Sequence, residues 1–306
     1  MSAQKVQKDY IKLQTGRISL NNADIEAFIR NNTIAGDRLS ITEPVLTVTR
    51  DTRLRFDSGR IKPLLTGMLR KIEISLLVRD VRAHNGSVFY TEIPKSGVPA
   101  TIPITDIELD IAQVKNLDYN VDDSLRAFVT GKIFDSVRLY LRLNQSYNDS
   151  LGGFRVDVAF GPSRLGVLNE AFVPLGSLYI RSGELDTANL SVVANEYFAY
   201  GEMKMDYRDL KLQLLKEPGN TDRKNTKNFL TFLANTFVIK NKDSKPGVVF
   251  VVRNRERSIF NYLVKIATRG FQSSIGVGNN KKLTRRYKEE LKKRNLPAFN
   301  FEKGEK

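Results

Sequence analysis

Apolar and polar residues alternate with a period of two along most of the first 215 positions. Met203, Met205 and Tyr207 share one parity, while Lys204, Asp206 and Arg208 hold the other. Leu210, Leu212 and Leu214 then alternate with Lys211 and Gln213. Val137, Leu139, Leu141 and Leu143 do the same against Arg138, Tyr140 and Arg142, as do Phe154, Val156, Val158 and Phe160. A period of two sends successive side chains to opposite faces, so these runs predict half-buried antiparallel strands. Further strands are predicted around Ile72–Val78, Ser87–Ile93, 101–115 and 124–134. Asn85-Gly86 predicts a hairpin turn between the first two. A change of parity near Asp106 predicts a bulge. Pro44 divides the run 38–49, because proline cannot donate to a central ladder.

Short helical segments are expected near 22–31, 60–70 and 163–172. After a polar loop at 217–226 the pattern changes. A helix is predicted over 227–237, a short apolar strand over 247–253, and an amphipathic helix over 256–275 with Ile259, Phe260, Leu263, Ile266, Ala267 and Phe271 on one face. A last helix is predicted over 281–294. The fold class is therefore mainly β: residues 1–216 form a long antiparallel meander, and residues 217–306 form a helical, basic cap with one short strand. A sheet with one apolar face must cover it or curl around something apolar. No long helix is predicted before residue 226 to cover it, which favours a curled groove; a closed β-sandwich is the alternative.

Charge and composition narrow the chemistry. The chain has 306 residues and a formal charge of +15. From Arg253 onward there are fifteen Lys or Arg and five Glu, so most of the excess lies in the last sixth. There is no cysteine and only one histidine, His84, beside the Asn85-Gly86 pair. Metal sites built on nitrogen and sulfur ligands are thereby disfavoured, as is thiol chemistry. Nucleophile-elbow, P-loop and dinucleotide signatures do not occur. The adjacent carboxylates Asp122-Asp123 and Glu289-Glu290 read as a turn and a solvated helix face. No enzyme activity and no cofactor are expected. The first twenty residues lack the apolar core of a signal peptide, and no run of about 18 apolar residues exists to span a membrane.

Three blocks carry a family resemblance. They are LLVRDVRAHNGSVFYTEIPKSGVPATIPITDIELDIAQVKN at 76–116, LNEAFVPLGSLYIRSGELD with YFAYGEMKMDYRDLKLQLL between 168 and 215, and NFLTFLANTFVI with RERSIFNYLVKIATRGFQSSIGV between 228 and 277. In order and spacing they resemble the C-terminal region of AsmA-like envelope proteins of the Bacteroidetes type, relatives of the TamB-like proteins. The resemblance implies a bacterial envelope protein, periplasmic and associated with the inner membrane in the full-length family. It implies support of phospholipid transport between membranes and of outer-membrane integrity. It also implies that this chain is the C-terminal portion of a longer one.

On that reading phospholipid acyl chains lie against Val137, Leu139, Leu141, Phe154, Val156, Val158, Met203, Met205, Leu210 and Leu212, each buried methylene contributing about 0.8 kcal/mol. The tail offers a second contact. Its bland form is a solvated helix with the pairs Arg285–Glu289, Arg286–Glu290, Glu289–Lys293 and Glu290–Arg294. Its sharper form is contact with an anionic membrane surface or an acidic protein through Arg253, Arg255, Arg257, Phe260, Lys265, Arg269, Phe271, Lys281 and Lys282. For the 256–275 helix itself, packing on the sheet is the default expectation. Nucleic acid is the weakest partner, because the aromatics of the tail fall on its apolar face rather than among the cations. The alternative function is a structural β-sandwich module that docks through its basic helix.

Overall fold

The computed structural model describes residues 6–56, 59–175, 178–215, 233–239 and 246–301. One open, curled sheet dominates it, with fourteen strands among the described residues. In chain order these are β1 (Asp9–Gln14), β2 (Ile18–Asn21), β3 (Thr33–Thr42), β4 (Val45–Asp51), β5 (Ser75–Ile93), β6 (Ala100–Lys115), β7 (Ser124–Ile133), β8 (Val137–Ser146), β9 (Phe154–Phe160), β10 (Ser163–Arg164), β11 (Leu178–Ala194), β12 (Phe198–Leu215), β13 (Leu233–Ile239) and β14 (Gly247–Val252). From β5 to β12, the two-residue β10 beside β11 excepted, neighbours in sequence are neighbours in space and antiparallel, as a meander requires. The expected mainly β, curled architecture is what the chain adopts; a closed sandwich is not, because the order β1-β4-β5-β6-β7-β8-β9-β11-β12-β13 runs through a single sheet with free ends.

The meander begins with a departure. β3 and β4 lie end to end along β5 and parallel to it, Thr33 opposite Ser75 and Asp51 opposite Ile93. A parallel pair needs a long return. Here residues 52–74 supply it and carry the short helix α2 (Leu65–Leu69). The expected strand break at Pro44 is present between β3 and β4, where Glu43 has φ 50° and its N–H donates to the His84 carbonyl at 2.8 Å.

Asn85-Gly86 is not a hairpin turn. Asn85 (φ 53°) is a bulge inside the nineteen residues of β5, and Gly86 stands opposite Ile107. The Asp106 bulge is present too, with φ 51° and a register shift beside it. Glu43, Asn85 and Asp106 thus align on adjacent strands. Each bulge flips side-chain parity and bends its strand, so the row keeps one face apolar while the sheet folds along it. Asp209 (φ 53°) marks the parity change in β12 in the same way.

Helices close one half of the sheet. Helix α1 (Ile25–Asn31) joins β2 to β3, capped by the Asp24 side chain on the Ala27 N–H at 2.8 Å. A 3-10 turn (Leu165–Leu168) continues into α3 (Asn169–Leu175), which packs on β6 and β11. Helices α4 (Ile259–Ser274) and α5 (Asn280–Arg294) sandwich β14. Val249 and Val251 point to α4 and its core; Phe250 points to the other side, where Phe198, Leu283 and Tyr287 gather. Burial on both faces explains the unbroken apolar run in β14. Residues 246–301 therefore extend the same sheet and share its core. The expected helix over 227–237 is corrected: Leu233–Ile239 is a strand paired with Leu210–Leu215 of β12, and its β-branched and aromatic composition suits an added edge. Residues 227–232 lie outside the described residues.

Candidate functional site

Cross-strand partners share a face, so the register traces apolar rows across the sheet. One row runs Leu20, Leu39, Val81, Ile111, Ala127, Leu143, Val156, Val192, Gly201, Val249, over ten strands. The next runs Ile18, Ile41, Ala83, Leu109, Val129, Leu141, Val158, Leu190, Met203. Across the bulge line follow Leu13, Leu46, Val88, Ile104, Ile133, Val137 and then Ile11, Val48, Tyr90, Ile102. Together they form the apolar face of a trough.

Burial changes along the Ile18 row. Ile18 is 58% exposed at the β2 end, and Ile41, Leu109 and Val129 are half-buried, with the small Ala83 buried between the first two. In the Ile11 row Val48 and Tyr90 are already buried beside the exposed edge. At Val158, Leu190 and Met203 the Ile18 row is buried. The cause is α4. Its apolar stripe, Ile259, Tyr262, Ile266, Phe271 and the following Ile275, lies on this half of the trough. Gly270 lets it approach, since a Cβ there would stand 2.7 Å from Met203 Sδ. The Ser274 hydroxyl donates to the Met203 carbonyl at 2.7 Å, and Phe271 meets Phe172 of α3 with ring centroids 5.1 Å apart.

The ten residues expected to hold acyl chains fall under this cover. Val137, Leu139, Phe154, Val156, Val158, Met203, Met205, Leu210 and Leu212 are buried, and Leu141 is half-buried against the same core. Their parity is the trough parity, but the protein's own helix occupies the space above the greater part of them. The open floor lies on β2–β7, and edge residues Ile11, Leu13 and Ile18 are among the most exposed apolar side chains.

The tail candidates divide. Phe271 is core and Phe260 packs against it. Arg253, with a side chain wholly buried, pairs with Glu196 and donates to the Lys62 carbonyl at 2.5 Å, so it cannot touch a surface. Burial lowers its guanidinium from the ordinary value, with Glu196 opposing. Arg255 shares Glu196 and stacks over Tyr197, and Arg257 stacks over Phe56. Lys265, Lys281 and Lys282 are exposed, and Arg269 is half-buried. On α5, Arg285–Glu289 and Glu290–Arg294 pair as expected, at 3.5 and 2.9 Å. Arg286 lies over the Phe250 ring. Lys281, Arg285, Lys288 and Lys292, at helical spacing, form an exposed cationic stripe.

One polar group escaped the sequence reading. Asp9, Arg50 and Glu92 form a charged rung directly beyond Ile11, Val48 and Tyr90, on the same face. Arg50 Nε donates to Asp9 Oδ1 at 2.6 Å, and Lys62 Nζ reaches Asp9 Oδ2 at 2.5 Å. The Tyr90 hydroxyl donates to Glu92 at 3.1 Å and also meets Asn261 of α4. Burial, then the Glu92 charge, pushes the Tyr90 phenol up to about 12. The rung had a signal: three charges each interrupt an apolar parity (Leu13, Ile11, Asp9; Leu46, Val48, Arg50; Val88, Tyr90, Glu92).

His84 is exposed on its bulge and binds Glu108 at 2.7 Å, a contact that fixes the bulge. Among the described residues no cluster of acidic, His or Cys side chains is arranged for a metal, and no helix is long and apolar enough to cross a membrane. Compared with known proteins, the chain matches no family model, no curated protein and no solved structure.

Proposed function

We propose that this chain is a non-enzymatic lipid-holding element of the AsmA-like envelope type, in which the uncovered half of the trough shelters acyl chains and α4 closes the other half. The observation that carries the reading is the row from Ile18 to Met203: continuous in apolar character, exposed at Ile18, half-buried across β3, β6 and β7 with the small Ala83 buried between them, and buried beneath α4. From β2 to β7 the open floor spans about 19 Å at the usual strand spacing. A methylene laid there gains about 0.8 kcal/mol, so a chain is held without chemistry. Phospholipid transfer between envelope membranes would use this floor passively. The cationic stripe of α5 supports a second contact within the same reading, with an anionic membrane surface. A module that docks an acidic protein through that stripe is the other reading the same four cations favour.

The test is mass spectrometry of organic extracts from protein purified without detergent, beside Val129→Asp and the double variant Leu13→Asp, Ile18→Asp. The two edge residues are exposed, so that pair leaves the core intact. Phospholipid at one or more molecules per chain in the wild type, reduced in folded variants, is the expected outcome. A lipid-free wild type, or equal lipid in all three proteins, overturns it and leaves the docking module.

A further inference from the structure

The charged rung at the end of the trough contains more cation than its neighbours neutralise. Arg50 and Lys62 share the single carboxylate of Asp9. Arg50 is buried, its side chain 4% exposed, yet its Nη1 is enclosed without a hydrogen-bond partner. Helix α4 brings Lys265, and the residue preceding its cap brings Arg257, to the same place. Arg257 reaches Gln7, two residues before Asp9, at 3.5 Å, and Asn261 meets Tyr90. Glu92 is engaged by the Tyr90 hydroxyl. Two further carboxylates nearby, Glu196 shared by Arg253 and Arg255 and Glu256 accepting from the Gly59 N–H at 2.5 Å, balance those two arginines and leave the count unchanged. Arg50, Lys62, Arg257 and Lys265 thus face Asp9 and Glu92, an excess of two positive charges in a partly enclosed site. Partial desolvation and then the charges of Arg257 and Arg50 hold the Lys265 amine below the ordinary lysine value, against the pull of Glu92.

Gathering like charges at a low-dielectric wall is unfavourable unless an anion sits among them. We propose that Arg50, Lys62, Arg257 and Lys265 bind a phosphate ester, with the buried Arg50 guanidinium at the floor and Lys62, Arg257 and Lys265 at the rim. A guanidinium suits tetrahedral oxyanions, and Arg50 Nη1 is a donor that the protein's own groups leave unused. Because the rung adjoins the apolar rows on one face, an amphiphile fits with its phosphate here and its chains along Ile11, Leu13 and their neighbours. This last step rests on the acyl-chain reading above; the anion site itself does not.

The experiment is calorimetric titration of the whole chain with three probes: dihexanoyl phosphatidic acid, uncharged dihexanoylglycerol and glycerol 3-phosphate. Each is repeated on Lys265→Gln and Arg257→Gln, with Lys204→Gln, exposed on the opposite face of β12 from the trough, as control. Losing one charge-assisted contact is expected to weaken phosphatidic acid binding about ten- to a hundredfold, while the control is unchanged. Wild-type Tm should also rise with phosphate at constant ionic strength, a readout independent of how well the variants fold. If phosphatidic acid and dihexanoylglycerol bind equally and both rim variants are silent, the anion site is overturned and the trough reading stands. If glycerol 3-phosphate binds as well as phosphatidic acid and loses affinity in both rim variants, the site is a free phosphate-ester site and the acyl-chain reading falls. If no probe binds and phosphate leaves Tm unchanged, both are overturned.

Discussion

Locking α4 to the sheet tests the central feature of the fold. The chain has no cysteine, so an engineered pair forms in a clean background. Met203→Cys with Gly270→Cys is the pair of choice. A Cβ at 270 would lie 3.1 Å from Met203 Cβ, a few tenths of an ångström inside the lower limit of about 3.5 Å for disulfides, whose mean is about 3.8 Å, and shortening Met203 removes the Sδ that stands closest to it. The two positions are 67 residues apart. Closing a loop of that size lowers the entropy of the unfolded chain by an amount equivalent to about 4 kcal/mol, less whatever strain the short approach costs. Comparing oxidised and reduced forms of the same variant cancels the lost methionine packing. Nonreducing gels report the cross-link, a thiol count its completeness, and urea denaturation its effect. The expected result is near-complete oxidation with a higher urea midpoint in the oxidised form. Two thiols that stay reactive in the folded protein, with no cross-link, would refute a docked α4 and expose Met205, Val156 and Leu139 to whatever the trough holds. If the open half of the trough carries the lipid, the locked protein retains as much as the wild type.

Other consequences follow from single residues. Glu196→Ala leaves Arg253 buried without its carboxylate and is expected to cost about 3–5 kcal/mol in urea denaturation; a loss under 1 kcal/mol would mean that water reaches the guanidinium. Asn85→Ala places a β-carbon in left-handed backbone at φ 53° without the polar side chain that tolerates it, costing about 1 kcal/mol, whereas Asn85→Gly should be neutral or stabilising; equal effects would remove the bulge argument. Burial pushes the Tyr90 and Tyr147 phenols up to about 12. A raised phenol favours the folded protein fully below pH 10, and that contribution disappears as pH climbs from about 10 to 12, about 2–3 kcal/mol for each tyrosine. The urea midpoint should therefore hold through neutral pH and fall above about pH 10, with the Tyr90 and Tyr147 phenolate absorbance appearing only on unfolding. Replacing Lys281, Arg285, Lys288 and Lys292 by Gln should weaken sedimentation with anionic vesicles about fivefold per charge, at about 1 kcal/mol each; binding insensitive to these changes would assign the stripe to solvent.

Local pattern alone determined most strands of the antiparallel run from β5 to β12 and the parity of the apolar face, because a period of two is a property of the backbone and survives any tertiary arrangement; it held no sign that β3 and β4 run parallel to β5. It gave the Asp106 bulge as a parity flip. It misread Asn85-Gly86, since the same dipeptide serves a turn or a bulge and only the partner strands distinguish them; Gly86 continues opposite Ile107 instead of reversing. It misread 233–239 because a short apolar run suits helix and strand alike, and the free edge of β12 decided the matter.

What only the tertiary structure decided is which stretch of the apolar face stays open. Val156 and Val129 look alike in sequence, one 1% exposed beneath α4 and the other half-buried on the open floor. The difference comes from a helix more than a hundred residues away, and burial of that kind is a sum over distant neighbours that no local period encodes. The same holds for charge. Arg253 and Lys281 read alike as tail cations, yet the first is enclosed by Glu196 and the Lys62 carbonyl while the second stands in solvent. Asp9, Arg50 and Glu92 each broke an apolar parity in plain sight, but only the curl of the sheet brought them to one level with Lys62, Arg257 and Lys265 against it.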